Sequence, residues 1–237
     1  MRLYLYISKS LGISRREAKI LIKESNDVFV NKEVIKNPNF DVAKNDKVIY
    51  KQKDLQYIEN VYILLNKPKG YICSIKDELY PSILNLISED ELRNRLKIVG
   101  RLDVDTEGLI LLTDDGDFIH KMTSPKKDVE KKYYVEVDTA YLKEDIISFF
   151  NGVFIIDENK QQYKTKKALL EIIEANKAYL TITEGKFHQV KKMHKAIGKE
   201  VLFLKRESVG EFNLGNLKTG QYKIIDCCQK NRRNYEI

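Results

Sequence analysis

Residues 100–116, GRLDVDTEGLILLTDDG, place a strongly apolar run between two polar turns. Residues 109–112 are four consecutive large aliphatic residues, and the turn-forming residues 114–116 end the run. A short apolar run bounded by turn residues is typical of a strand that is buried on both faces. We therefore predict a strand over 109–113 inside a covered sheet, and this strand follows directly on a loop rich in carboxylates.

The sequence from residue 61 onward contains more strand signals than helix signals. Apolar or alternating segments predict further strands at 61–65, 131–137, 153–156, 168–173 and 178–183. Helices are predicted at 141–150, before Gly152, and at 187–197, before Gly198. This part of the chain is therefore predicted to form one α+β domain.

Residues 1–50 predict a small helix–hairpin unit. Apolar residues at four-residue spacing form one helix face, and residues 14–17 (SRRE) form a capping box that begins a second helix. Residues 28–35 predict a hairpin. Residues 51–60 are polar and lack periodicity, so we predict a linker there, before a larger domain over 61–237.

The second predicted helix carries four cations away from its apolar stripe: Arg15, Arg16, Lys19 and Lys23. They form either a solvated helix face or a surface that grips phosphates. The chain holds 42 basic and 35 acidic residues, a net charge of +7. The charge is concentrated at the two ends, which favours a polyanionic partner such as a nucleic acid.

The composition argues against several classes of protein. The 237 residues are 43 % hydrophobic and 32 % charged, and no apolar run approaches the ~18–20 residues of a membrane span. The first residues lack the apolar segment of a signal peptide, and three cysteines are too few for a disulfide framework. We therefore expect a cytoplasmic protein without membrane association. Because neither glycine-rich phosphate-binding motifs nor zinc-ligand spacings occur, we expect no nucleotide cofactor and no metal.

The acidic segment before the predicted strand has two interpretations from its residues alone. It is a polar turn at the edge of the core, or a calcium loop, because five residues fit positions of the EF-hand pattern: Asp103, Asp105, Glu107, Gly108 and Asp114. A leucine at the ninth position and the lack of a preceding helix disfavour calcium.

The same segment also resembles a family signature, GRLDxxTxGLLLLTxDG, of the RsuA-type ribosomal RNA pseudouridine synthases. Residues 66–71 (NKPKGY), 130–133 (EKKY) and 184–193 (EGKFHQVKKM) resemble further motifs of that family, in the same order. The first fifth of the chain resembles the alpha-L RNA-binding module that these enzymes carry, in which paired arginines bind structured RNA. The resemblance implies the pseudouridine synthase fold, in which a helix–hairpin RNA-binding domain precedes a catalytic domain built on a mixed, mainly antiparallel sheet.

The resemblance implies that the protein isomerises a uridine in RNA to pseudouridine, by base flipping and without a cofactor. Asp103 is the implied nucleophile, Lys191 the cation beside it, and Tyr133 the ring that stacks on the uracil. Many relatives carry arginine at the position of Lys191. Four residues are implied around the target uridine: Arg101 fills the gap left by the flipped base, His188 contacts a phosphate, and Val190 and Leu204 wall the cleft.

Three neighbouring residues receive lesser roles. We expect Lys67 and Lys69 to shape the floor of the site, and Asp105 to point elsewhere. Residues 70–87 and 186–193 resemble enzymes acting on 16S ribosomal RNA, and the alternatives are a 23S enzyme, a non-catalytic RNA-binding assembly factor or a calcium protein. We expect a monomer whose partner is ribosomal RNA or an assembly intermediate of a ribosomal subunit.

Overall fold

The computed structural model describes residues 1–56, 60–156 and 160–225. The chain divides into two compact units, Met1–Asn60 and Val61–Ile237. No helix within the described residues has the length and apolarity needed to cross a membrane. Two of the three cysteines, at positions 227 and 228, lie outside the described residues.

In the first unit, two helices and a four-stranded antiparallel sheet share one core. The helices are α1 (Leu3–Leu11) and α2 (Arg15–Glu24), and the strands are β1 (Val28–Val30), β2 (Glu33–Val34), β3 (Val48–Tyr50) and β4 (Lys53–Leu55). The sheet order is β2-β1-β3-β4. The predicted capping box is confirmed, because the Glu17 N–H donates to Ser14 Oγ and the Ser14 N–H donates to Glu17 Oε2.

The predicted linker over 51–60 is wrong for its first half. Lys51 and Gln52 both have positive φ, 47° and 64°, and this tight turn sends the chain back along β3. Strand β4 therefore pairs with β3, and Leu55 packs against the core of the first unit. The turn was missed because two-residue turns of this type usually carry asparagine or glycine. Residues 57–59 of the predicted linker lie outside the described residues.

The second unit contains a mixed nine-stranded sheet with the order β11-β12-β8-β13-β7-β5-β15, and β14 and β6 pair with β13 and β7. The strands are β5 (Tyr62–Lys67), β6 (Lys97–Val99), β7 (Glu107–Thr113), β8 (Lys131–Val137), β11 (Leu169–Glu174), β12 (Lys177–Ile182), β13 (Val201–Val209), β14 (Phe212–Asn213) and β15 (Tyr222–Ile225). Among the described strands of this sheet, only β13 and β7 pair in parallel. The predicted α+β class with a mainly antiparallel sheet is thereby confirmed.

Among the described residues, the second unit also contains a separate two-stranded sheet, four α-helices and two short 3-10 helices, Ile83–Leu86 and Pro125–Lys127. The sheet consists of β9 (Phe154–Ile156) and β10 (Gln162–Lys164), and the helices are α3 (Asp90–Arg95), α4 (Gly116–Thr123), α5 (Lys143–Asn151) and α6 (Gln189–Ala196). The predicted hairpin between the strands at 168–173 and 178–183 is confirmed as β11 and β12. Strand β13 was not predicted, because Lys205, Arg206 and Glu207 interrupt its apolar pattern.

The contact between β7 and β13 places the two segments that carry the candidate site side by side. Strand β7 follows the loop with Asp103, and β13 follows α6. Gly108 has φ 107°, and a Cβ atom there would lie 2.3 Å from the carbonyl oxygen of Arg206. Only glycine allows the strands to approach this closely.

Candidate active site

Asp103 lies on the loop before β7 and faces the first turn of α6. Its Oδ2 is 3.3 Å from Lys191 Nζ, and its Oδ1 is 3.5 Å from His188 Nε2. The Asp103 and Lys191 side chains are 26 % and 27 % exposed. The carboxylate is therefore half-buried, it is accessible from one side, and Lys191 supplies the nearest positive charge.

A cavity of about 390 Å³ opens at this carboxylate. Such a volume lies within the usual range for small-ligand pockets. All seven site residues predicted in the larger domain line this cavity: Arg101, Asp103, Tyr133, His188, Val190, Lys191 and Leu204. The structure thus brings these residues together, and their individual roles stay predictions.

The walls of the cavity combine apolar surface with the available hydroxyl of Tyr133. Val190 and Leu204 are each 5 % exposed, and Tyr133 is 7 % exposed. No side chain or backbone group of the described residues hydrogen-bonds to the Tyr133 hydroxyl. The neighbouring Tyr134 lies on the opposite strand face, as predicted, and donates a hydrogen bond of 2.7 Å to Glu136. The Tyr133 hydroxyl therefore remains available to a ligand in the cavity.

Lys67 lies fully buried beneath the loop that carries Asp103. Its ammonium group donates to the carbonyl oxygens of Asp103 at 2.9 Å and Thr106 at 2.8 Å, with longer contacts to Pro68 at 3.1 Å and Val104 at 3.3 Å. Burial lowers the pKa of Lys67 from 10.5 to about 8. Lys67 therefore supports the loop that carries Asp103, and its expected role in shaping the floor of the site stays a prediction. Lys69 is exposed, and its Nζ lies 4.8 Å from the centroid of the Phe203 ring.

A second buried cation, Arg206 on β13, supports the same loop. It is 3 % exposed, and its Nε donates to the carbonyl oxygen of Leu109 at 2.8 Å. Its Nη1 lies 3.4 Å from the carbonyl oxygen of Arg101, so the guanidinium joins both ends of the loop. Sequence reasoning missed this residue because a charged side chain in a strand usually indicates a solvent-facing position.

The turn before α6 is held by hydrogen bonds to one carboxylate. Glu184 accepts from the Tyr163 hydroxyl at 2.6 Å, from the Lys166 N–H at 2.9 Å and from Gln189 Nε2 at 2.6 Å. Gln189 Oε1 in turn accepts from the Lys186 N–H at 2.7 Å. These contacts place the first turn of α6 opposite Asp103, and sequence reasoning had assigned no role to Glu184 or Gln189.

His194 is fully buried behind α6. Its Nδ1 lies 2.7 Å from the carbonyl oxygen of Val190, which can only accept, so Nδ1 carries the proton and Nε2 accepts from Tyr141 at 2.9 Å. Burial lowers the pKa of His194 from 6.5 to about 4. The imidazole is therefore a neutral structural group at pH 7.

The expectation for Asp105 is wrong in one respect: Asp105 is not among the residues that line the cavity, but its carboxylate does not point away from the charged groups of the site. Asp105 Oδ1 lies 2.5 Å from Lys191 Nζ, so Asp105 is in the same charged cluster as Asp103. Partial burial opposes ionisation of Asp105, but the hydrogen bond and charge of Lys191 outweigh it and lower its pKa. The loop bends between residues 103 and 106, where the Thr106 N–H donates to the Asp103 carbonyl, and this turn brings both carboxylates to the same amine.

The calcium interpretation does not agree with the structure. Residues Glu107–Thr113 form strand β7, which places Asp103 and Asp114 at opposite ends of an extended segment, roughly 20 Å apart. The described residues contain no group of three or more acidic, histidine or cysteine side chains arranged to hold a metal ion.

The four predicted RNA-contacting cations of the first unit lie along α2. Arg15, Arg16, Lys19 and Lys23 are all exposed. Lys19 Nζ lies 4.6 Å from the centroid of the Tyr4 ring. The side chains therefore form an exposed basic ridge, and a function in binding RNA stays a prediction.

Comparison with known proteins gives consistent matches. Residues 61–196 match the sequence family described as RNA pseudouridylate synthase. The chain is 40 % identical to an uncharacterised RNA pseudouridine synthase of Aquifex aeolicus, covering 95 % of this chain and 92 % of the relative. It is 38 % identical to the ribosomal small subunit pseudouridine synthase A of Escherichia coli strain K12, covering 95 % and 96 %. A crystal structure of a pseudouridylate synthase matches with a TM-score of 0.66 at 35 % identity, covering 95 % and 96 %.

Proposed function

The chain belongs to the RNA pseudouridylate synthase family, and we propose that it isomerises one uridine of the small-subunit (16S) ribosomal RNA to pseudouridine, with Asp103 as the nucleophile. The observation that carries this proposal is the position of the Asp103 carboxylate at a cavity that Lys191, Tyr133, Val190 and Leu204 also line. The Asp103 carboxylate, the Lys191 amine beside it and the Tyr133 hydroxyl, set among apolar walls, suit a flipped pyrimidine nucleoside.

The reaction exchanges one glycosidic bond for another within the same nucleotide. The bond between ribose C1′ and uracil N1 breaks, the uracil turns, and a bond forms between C1′ and C5. The hydrogen leaves C5 as a proton and N1 gains a proton, so no group and no electron is transferred to another molecule. These steps require a carboxylate to attack or stabilise the detached partner, and Asp103 supplies it.

Lys191 and the two buried cations make Asp103 suited to this role. Lys191 Nζ lies 3.3 Å from Oδ2 of Asp103 and balances its charge. The other oxygen faces His188 at 3.5 Å at the open side. Lys67 and Arg206 fix the backbone of the loop from below. An oxygen held in this way is oriented before the substrate arrives, which lowers the entropic cost of reaching the transition state.

The remaining cavity residues bind the flipped base. The uracil lies between Val190, Leu204 and the Tyr133 ring, and the Tyr133 hydroxyl takes part in moving the C5 proton. Arg101 is exposed at the mouth of the cavity, where its side chain fills the gap in the RNA left by the uridine. Stacking of this kind offsets an unpairing cost of a few kcal/mol.

Similarity to relatives supports ribosomal RNA as the substrate, because the relative from Escherichia coli is named for the small ribosomal subunit. The basic ridge on α2, formed by Arg15, Arg16, Lys19 and Lys23, supplies phosphate contacts outside the catalytic unit.

Tritium release from RNA labelled at C5 of uridine tests the proposal. Full-length 16S and 23S transcripts and partially assembled small subunits are incubated with the protein, and the modified position is mapped in any RNA that releases tritium. We expect release from 16S RNA, naked or in particles, at about one equivalent per molecule. Release from 23S RNA alone would contradict the substrate assignment, and absence of release from every RNA would favour a binding or assembly function.

A further inference from the structure

Lys191 contacts two carboxylates, and the shorter contact is not with the proposed nucleophile. Its Nζ lies 2.5 Å from Asp105 Oδ1 and 3.3 Å from Asp103 Oδ2. The Asp105 side chain is 62 % exposed, whereas that of Asp103 is 26 % exposed. The proposed reaction uses Asp103 and gives no role to the shorter ion pair, between Lys191 and Asp105.

The chemistry of lysine explains why a second anion is useful here. An ammonium group is a point charge on a flexible four-carbon stem, whereas an arginine guanidinium holds a carboxylate through two parallel bonds. A single contact to Asp103 leaves the Lys191 amine free to swing around that oxygen. A second carboxylate on the other side of the amine removes this freedom.

We propose that Asp105 is a positioning residue that anchors the Lys191 amine, so that Lys191 stays beside Asp103 without closing on it. This inference rests on the proposed function. Asp105 thereby supplies the geometric restraint that arginine at position 191 would provide by itself. The anchor also leaves Asp103 Oδ1 uncovered by Lys191, because the amine is held on the side of Oδ2.

A double-mutant cycle tests whether the effect of removing Asp105 depends on having lysine at position 191. Asp105→Ala is made in the wild-type background and in the Lys191→Arg background. With lysine at position 191, loss of the anchor should lower kcat about tenfold. With arginine, the same change should lower kcat less than about twofold, because the guanidinium restrains itself. KM for RNA should stay constant or fall in both, since removing an exposed anion does not weaken binding of a polyanion.

The matched control is Asp117→Ala. Asp117 is an acidic residue in the first turn of α4, and its removal changes the net charge by the same amount. It should leave kcat unchanged. If Lys191→Arg is itself inactive, Asp105→Glu replaces the cycle, and it should recover part of the rate that Asp105→Ala loses. The proposed role of Asp105 would be overturned if Asp105→Ala lowered kcat equally in both backgrounds or in neither. It would also be overturned if Asp105→Glu recovered none of the lost rate.

A measurement without RNA separates this inference from the proposed function. Acetic anhydride labels lysine amines, and peptide mass spectrometry reports the extent at Lys191. Asp105→Ala should increase labelling of Lys191 several-fold over the wild type, and Asp117→Ala should not. Unchanged labelling would overturn the anchor even if the wild type isomerises uridine. Increased labelling would support it even if no RNA releases tritium.

Discussion

Lys67→Met removes the buried cation that supports the loop of Asp103. The four carbonyl oxygens within 2.8–3.3 Å of Lys67 Nζ then lose their donor. The two short contacts, to Asp103 and Thr106, are each worth roughly 1.5–3 kcal/mol as hydrogen bonds from a charged group. Their loss alone destabilises the fold by about 3–6 kcal/mol.

Removing the Lys67 charge also has a stabilising effect, because burying an ammonium group is unfavourable. The pKa of Lys67 falls from 10.5 to about 8 in the fold because burial disfavours the charged ammonium. The net loss of stability is therefore smaller than the sum of the lost hydrogen bonds. The variant should stay folded while the loop shifts, and a displacement near 1 Å lowers kcat between about ten- and a hundredfold.

Single-turnover tritium release at saturating enzyme measures the chemical step, and urea unfolding measures stability. Lys69→Met is the matched control, because Lys69 is exposed, two residues away, and contacts only a ring. It should change the rate and the unfolding free energy little. A folded Lys67→Met protein whose rate stays within about threefold of the wild type would refute the support assigned to Lys67.

Three further predictions test other parts of the molecule. The double variant Arg15→Ala, Arg16→Ala should bind RNA more weakly. In filter-binding assays, the slope of log Kd against log salt concentration should fall by about 0.7–0.9 per lost phosphate contact. An unchanged slope would show that the basic ridge does not contact the RNA. The pKa of His194 is lowered from 6.5 to about 4 in the fold. Between pH 6.5 and pH 4 the unfolded state therefore binds more protons than the folded state. The free energy of unfolding should decline by up to about 3 kcal/mol as the pH falls through this range. Urea unfolding at several pH values should show this decline in the wild type and a flatter profile in His194→Gln. Gly108→Ala should cost about 3–5 kcal/mol of unfolding free energy, because its Cβ would meet β13, whereas Gly185→Ala, with nothing within 4 Å, should cost less than about 1 kcal/mol.

The sequence pattern predicted strands that are continuously apolar, such as β7, and strands whose two faces differ in polarity. Strand β8 has the predicted bounds of 131–137, because Tyr133, Val135 and Val137 alternate with polar residues. Strand β13 was missed because its buried Arg206 mimics a solvent-facing position. Periodicity reports burial only where apolar side chains are the buried ones.

The candidate site was predicted at the level of motifs and not of contacts. Family resemblance identified the residues around the cavity, since those residues carry the motifs. Neither resemblance nor spacing indicated that Asp105 shares Lys191 with Asp103, because a loop bend sets that contact. The burial of Lys67 was also not predicted, because the sequence does not show that backbone carbonyl groups surround its amine in the fold.

Asp103→Asn tests the central claim most directly. Asparagine keeps the shape of the side chain and removes its charge, so RNA binding and fold should persist while the nucleophile is lost. Wild type and variant are compared at equal, saturating occupancy of C5-tritiated small-subunit RNA. The wild type should release about one equivalent of tritium and the variant none, whereas release by the variant at a rate near that of the wild type would contradict Asp103 as the reacting carboxylate.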